Sequence, residues 1–225
     1  MSNSKQRLLA EIAKDIHSQH VGYIEKLKLG HHELQRPDFI WHFLLQSFAT
    51  MGKSSGWKGL IGNKYNYNKI TYEALTALDH NGRAQTVKAV CHASKVRMPE
   101  KKADYILGCY ERVRDIGGLE SAKTQLLSCS GREGKIKFLK QFPGIGEKYA
   151  RNIMMDVYHE DFHSSIAIDI RIKSITELLG LSFNTYEEQE IFLLEVAKLA
   201  DLNGWELDRL MYRFKSDFEY EILSA

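Results

Sequence analysis

One run constrains this chain more than any other: Phe142-Pro143-Gly144-Ile145-Gly146-Glu147-Lys148-Tyr149-Ala150-Arg151-Asn152. Two glycines bracket one apolar residue directly before a helical pattern, which demands a tight turn between two helices. Glycine accepts positive φ and lets another group approach the backbone where a Cβ would otherwise stand. The first amides of the following helix lack acceptors and carry partial positive charge, so such a turn is a natural anion cradle. Lys148 falls in the first turn of that helix. Beyond the turn, Ala150, Ile153, Met154 and Val157 recur at helical spacing and give the helix one apolar face.

The rest of the chain repeats that periodicity. Residues 5–29 read as one or two helices, with Gly22 and Gly30 as ends. Asp38 is placed to N-cap a helix through Phe39, Trp41, Phe43, Leu44, Leu45 and Phe48, apolar on most sides and therefore central to a helical unit. Further helices are predicted over 71–78, 84–92, 100–114, 119–127 and 136–141. After the turn they follow over 169–180, 186–200 and 204–215. Strand signals are weak throughout. The expected class is all-α, in two helical lobes: 38–160 as a central unit ending in the hairpin, and 1–37 with 161–225 as the second.

Charge does not decide the partner. The 225 residues carry a formal net charge of +2, too little to argue for a polyanion ligand except through where the charges sit. Around the hairpin Lys135, Lys137, Lys140 and Arg151 cluster, as a backbone-binding patch would. Cys91, Cys109 and Cys129 are odd in number and widely spaced, which excludes a disulfide framework and a four-thiolate metal site. With no apolar run of membrane-spanning length, the expectation is a cytoplasmic protein, nucleoid-associated in a prokaryote, without a membrane partner.

The hairpin, the lysine after it, and an aspartate following an apolar pair in Ala167-Ile168-Asp169 together resemble the helix-hairpin-helix DNA glycosylase superfamily. Endonuclease III and the 8-oxoguanine glycosylases are familiar members. The strong likeness covers about residues 134–180, with Lys148 and Asp169 separated by 21 positions. It implies base-excision repair: a DNA glycosylase with β-elimination lyase activity, working as a monomer on double-stranded DNA with a damaged base or abasic site. DNA would lie across a cleft between the lobes. Lys148 matches the lysine that attacks the sugar C1′ and forms a Schiff base. Asp169 matches the aspartate that stabilises the developing oxocarbenium charge. Gly144 and Gly146, with Lys140 and Arg151, would grip the DNA backbone. The carbonyls of Lys140, Phe142 and Ile145 would hold a monovalent cation, K+ or Na+. Met51, in the loop Thr50–Ser54, would fill the gap left by a flipped base. Asn152, Trp205, Tyr212 and Phe214 are candidates for the base pocket, with core packing the alternative for the three aromatics.

The chemistry suits those roles. An amine is nucleophilic only without its proton, and both desolvation and a helix start disfavour an ammonium ion. A carboxylate beside a cationic sugar supplies field where charge develops. Reaching a base inside a duplex requires flipping it out. The sequence also departs from the family. Arg171 stands where a histidine is common, and no four cysteines follow Asp169, so no iron–sulfur cluster is expected and no cofactor is required. The damaged base is not specified: 8-oxoguanine is one option, and a monofunctional glycosylase for alkylated bases or a non-catalytic DNA-binding module are alternatives. Two look-alike motifs fail. His159-Glu160-Asp161-Phe162-His163 has zinc-protease spacing, but in a loop and without a third ligand. Gly52-Lys53-Ser54 lacks the first glycine of a phosphate-binding loop.

Overall fold

The computed structural model describes residues 2–52 and 55–225, and among them every regular element is a helix. Two compact units emerge, Met1–His32 with Met154–Ala225, and Glu33–Ile153.

The second of these begins with α2 (Phe39–Thr50), whose Phe39, Ile40, Trp41, Phe43, Leu44, Leu45 and Phe48 are all buried, as its all-round apolar sequence requires. The polar groups that this helix buries are satisfied: the Trp41 indole N–H donates to the Ile70 carbonyl over 2.7 Å, and the Ser47 hydroxyl to the Phe43 carbonyl over 2.8 Å. Asp38 occupies the N-cap position but caps nothing. Its carboxylate accepts instead from the Arg36 guanidinium and the Tyr67 hydroxyl, each at about 3 Å. Short helices α3 (Gly56–Gly59), α4 (Lys64–Lys69) and α5 (Tyr72–Thr76) follow, then α6 (His80–Ala93), α7 (Pro99–Ile116), α8 (Leu119–Ser128) and α9 (Gly131–Leu139). Asn63, Thr71 and Asp79 cap α4, α5 and α6 through their side chains. The helix expected over 136–141 thus starts earlier, at Gly131, and stops at Leu139.

The first unit holds α1 (Ser2–Lys28), with α11 (Ile170–Leu178), α12 (Tyr186–Leu199), α13 (Gly204–Arg213) and α14 (Lys215–Ser224). His20 breaks helical geometry at φ −128°, so α1 is two helices joined at a kink. An Asn203–Glu206 capping box opens α13. α13 ends at Arg213 and a further helix follows, where the sequence suggested one helix through 215. α10 (Glu147–Asp156) contains the boundary between the units. No helix among the described residues is long and apolar enough to cross a membrane.

Candidate functional site

The hairpin is closed by its own backbone, and the Cys109 thiol adds a weak bond to the Pro143 carbonyl at 3.6 Å. The Ile145 N–H donates to the Phe142 carbonyl at 3.1 Å, and the Ala150 N–H to the Gly146 carbonyl at 2.9 Å, which makes Gly146 the residue from which α10 springs. The two glycines do different things. Gly144 sits at φ +83°, and a Cβ there would lie 2.6–2.9 Å from the Tyr105 ring. Gly146 has ordinary backbone and open space where its Cβ would stand. One glycine therefore shapes the turn; the other leaves it accessible.

Lys148 lies in the first turn of α10, half-buried, with Nζ 4.6 Å from the centroid of the Tyr149 ring. Asn152, one turn on, is also half-buried. Glu147, between the hairpin and Lys148, reorganises the surrounding charge. Its carboxylate takes the ammonium of Lys140 and, at 2.6 Å, the guanidinium of Arg151. Burial pushes its pKa up, but hydrogen bonds from Lys140 and Arg151 outweigh that and hold it below the usual carboxylate range. The basic patch predicted here is accordingly smaller than its lysine count. Arg151 is only 5% exposed, spent on Glu147, and Lys135 is buried with its ammonium donating to the Cys129 carbonyl at 2.8 Å. Arg151 is a helix-internal ion pair, not a surface contact. Lys137 and Lys140 remain exposed.

Asp169 is positioned by a different device. Its Oδ1 accepts from the amides of Arg171 (2.8 Å) and Ile172 (3.2 Å), so it N-caps α11. The approach to it, Ser165–Ile168, is buried and has no regular structure. Buried amides need acceptors, and for Ile166, Ala167 and Ile168 the acceptor is a side chain. Ile166 N–H donates to Glu190 (3.1 Å), Ala167 N–H to Asp208 (2.7 Å), and Ile168 N–H to the Tyr186 hydroxyl (2.9 Å), which itself donates to the Ile166 carbonyl (2.6 Å). Burial pushes Asp208 up to about 6. The charge of Arg209 and the Ala167 amide pull it down, while Asp169 and Asp156 push it further up. Sequence reading missed Tyr186, Glu190 and Asp208, which look like ordinary members of amphipathic helices.

Arg171 lies 4.3 Å from the centroid of the Tyr212 ring and donates to the Tyr212 carbonyl. Tyr212 is 38% exposed and presents a partly open aromatic surface. The other two aromatic candidates differ: Trp205 is buried, whereas Phe214 is half-buried. Trp205 is 1% exposed and its indole N–H donates to the Met155 carbonyl at 2.6 Å, so it is core. Phe214 is stacked on His20, with ring centroids 3.8 Å apart, at the junction of α13 and α14. Met51 caps the C-terminal end of α2 and is half-buried; Lys53 and Ser54 of its loop lie outside the described residues. In the zinc look-alike, the His159 ring accepts the Asp161 amide while His163 stacks on Tyr158, and no metal-type cluster occurs among the described residues.

No protein-family profile and no curated protein sequence matches the chain. Solved structures do. The Methanocaldococcus jannaschii 8-oxoguanine glycosylase/lyase, in complex with a 15-mer DNA containing 8-oxoguanine, superposes with a TM-score of 0.66 at 17% identity, over 92% of this chain and 97% of that one. A second structure, of the M. jannaschii 8-oxoguanine DNA glycosylase, gives a TM-score of 0.62 at 17% identity, over 92% and 94%. The chain has the all-helical fold of these glycosylases.

Proposed function

We propose that the protein is a base-excision DNA glycosylase with an associated β-lyase step, and that 8-oxoguanine in duplex DNA is its substrate. The carrying observation is a fold shared over nearly the full length of both chains with a DNA-bound 8-oxoguanine glycosylase/lyase. The lysine in the first turn after the hairpin supports it.

In this reading a backbone phosphate sits at the open side of Gly146, against the positive N-terminal end of α10. Lys140 and Lys137 add charge around it. A monovalent cation on the carbonyls of Lys140, Phe142 and Ile145 would supply further positive charge to the phosphate. The turn fits such a role, since the Phe142 carbonyl keeps one lone pair after accepting the Ile145 amide. Lys148 Nζ, once deprotonated, forms a bond to the sugar C1′ as the glycosidic bond breaks, and the base leaves with that electron pair and gains a proton. Asp169 stabilises the positive charge developing on the sugar, held in place by its cap bonds. The amine then opens the sugar to a Schiff base. Loss of a C2′ proton expels the 3′ phosphate and cuts the strand. Met51 fills the gap in the duplex, and Asn152 with Tyr212 contributes to the base pocket.

The test is borohydride trapping on duplexes carrying 8-oxoguanine, oxidised pyrimidines, alkylated purines, uracil or an abasic site. The expected result is a covalent adduct with 8-oxoguanine DNA that disappears in Lys148→Gln. Base release without an adduct would replace the lyase step with monofunctional hydrolysis. Binding of every duplex with no base loss would leave only a DNA-binding module. Asp169→Asn is expected to lower excision far more than DNA affinity, and equal losses would remove Asp169 from the chemistry.

A further inference from the structure

A second concentration of positive charge lies in the unit Glu33–Ile153, at the start of α7. A cavity of about 190 Å³ is lined there by Met51, Arg97, Met98, Lys101, Lys102 and Tyr105. Gly52 completes the lining at φ +81°. A Cβ on it would meet the Arg97 side chain at 2.8 Å, so the guanidinium arm lies directly across the glycine. Among the described residues, three cations and no acid line this space. Glu100, next in sequence, pairs instead with Lys88 and His92. Met98, at φ +55°, is the N-cap of this 18-residue helix and Pro99 follows it, so the positive end of the helix adds to the same field.

The telling group is Lys102. It is 4% exposed, and among the described residues its ammonium has neither a hydrogen-bond nor an ion-pair partner. Lysine is almost never buried unless paired, because an uncompensated buried charge is strongly unfavourable. The groups facing it worsen the case. Burial first, then Arg97 and Lys101, push it down to about 8, and the Cys91 thiol nearby is pushed up to about 12 by burial and offers little counter-charge. A buried amine that opens on a cation-lined cavity has its counter-ion supplied from outside the chain.

We propose that this cavity is a phosphate-binding site, with Lys102 at its floor and Arg97 and Lys101 at its mouth. The phosphate is either free in solution or part of a DNA backbone. The proposal stands independently of the glycosylase reading, since inorganic phosphate alone tests it.

Two measurements on the full chain decide. At pH 8 the reaction of Lys102 with an amine-selective acylating reagent is followed by peptide mass spectrometry, in chloride and in phosphate of matched ionic strength, and with an undamaged duplex. A bound anion returns the amine to its charged form, so labelling is expected to slow at least about tenfold. Slowing by inorganic phosphate identifies a site for the free ion; slowing by duplex alone identifies a backbone phosphate. Thermal unfolding in phosphate against chloride is the second measurement. The wild type is expected to gain several degrees, whereas Lys102→Met, already raised in Tm by removal of the buried charge, gains nothing further. Arg97→Gln, a change on the surface, should reduce the wild-type gain. The proposal is overturned if neither anion slows the labelling of Lys102, or if phosphate shifts the wild type and Lys102→Met equally.

Discussion

The hairpin and the approach to Asp169 each position one candidate side chain, and they are built in opposite ways. The hairpin is largely local: its backbone bonds join Phe142 to Ile145 and Gly146 to Ala150, its shape comes from one glycine at positive φ, and its tie to a distant residue, the Cys109 thiol on the Pro143 carbonyl, is weak. The approach to Asp169 is suspended from afar, its three amides held by Tyr186, Glu190 and Asp208, 18 to 41 residues away. A local device depends on residue type at a few adjacent positions. A suspended one depends on helices α12 and α13 being packed first.

The contrast can be broken by substitution. Gly144→Ala combines a disfavoured φ with overlap on the Tyr105 ring and is expected to cost about 3 kcal/mol in urea unfolding; a cost near zero would show that the turn tolerates a side chain. Next is the pH response of Asp208. Its folded pKa lies above the ordinary carboxylate value, so it favours folding when protonated, and that contribution is lost as pH rises through about 6. Asp208→Asn keeps a carbonyl for the Ala167 amide but removes the titration. Its stability relative to wild type should therefore improve by about 2 kcal/mol between pH 4 and pH 7 (order-of-magnitude values). A flat difference would mean that the buried charge is already compensated. Tyr186→Phe removes the acceptor for Ile168 and the donor to Ile166 and should cost about 1.5 kcal/mol, with excision falling in parallel as Asp169 loses its footing. Gly146→Ala is the smallest, within about 0.5 kcal/mol in stability. If Gly146 is the open side of the cradle, the loss appears in DNA affinity instead.

What could be read from the chain follows the same division. The hairpin, the helix that starts after it and Asp169 at the start of the next long helix were visible because each is specified within a few residues, whereas the capping role was read for Asp38 and belongs to Asp169. The charge around the hairpin was misjudged because counting cations ignores pairing. The Glu147–Arg151 spacing of four residues, an ion pair on any helix, was the available signal. Trp205 as core was the bland option and proved correct, since its indole N–H has a buried carbonyl to meet. Tyr186, Glu190 and Asp208 were out of reach, because nothing in α12 or α13 alone reveals that its polar residue turns inward to serve another segment. α14 was hidden by the polar start Lys215-Ser216-Asp217, with only Phe218 fully buried.

The suspended stretch has a consequence in time as well as in space. Ile166, Ala167 and Ile168 belong to no helix or sheet, yet their amides are buried and bonded to carboxylates and a phenol rooted in two helices. Releasing any one of those protons to solvent requires α12 or α13 to lift away. Hydrogen exchange should therefore find this coil as slow as the helices that carry it, with all three amides opening together, slower than the frayed ends of α1 or α14. Asp169 would then be held by one of the most persistent parts of its unit.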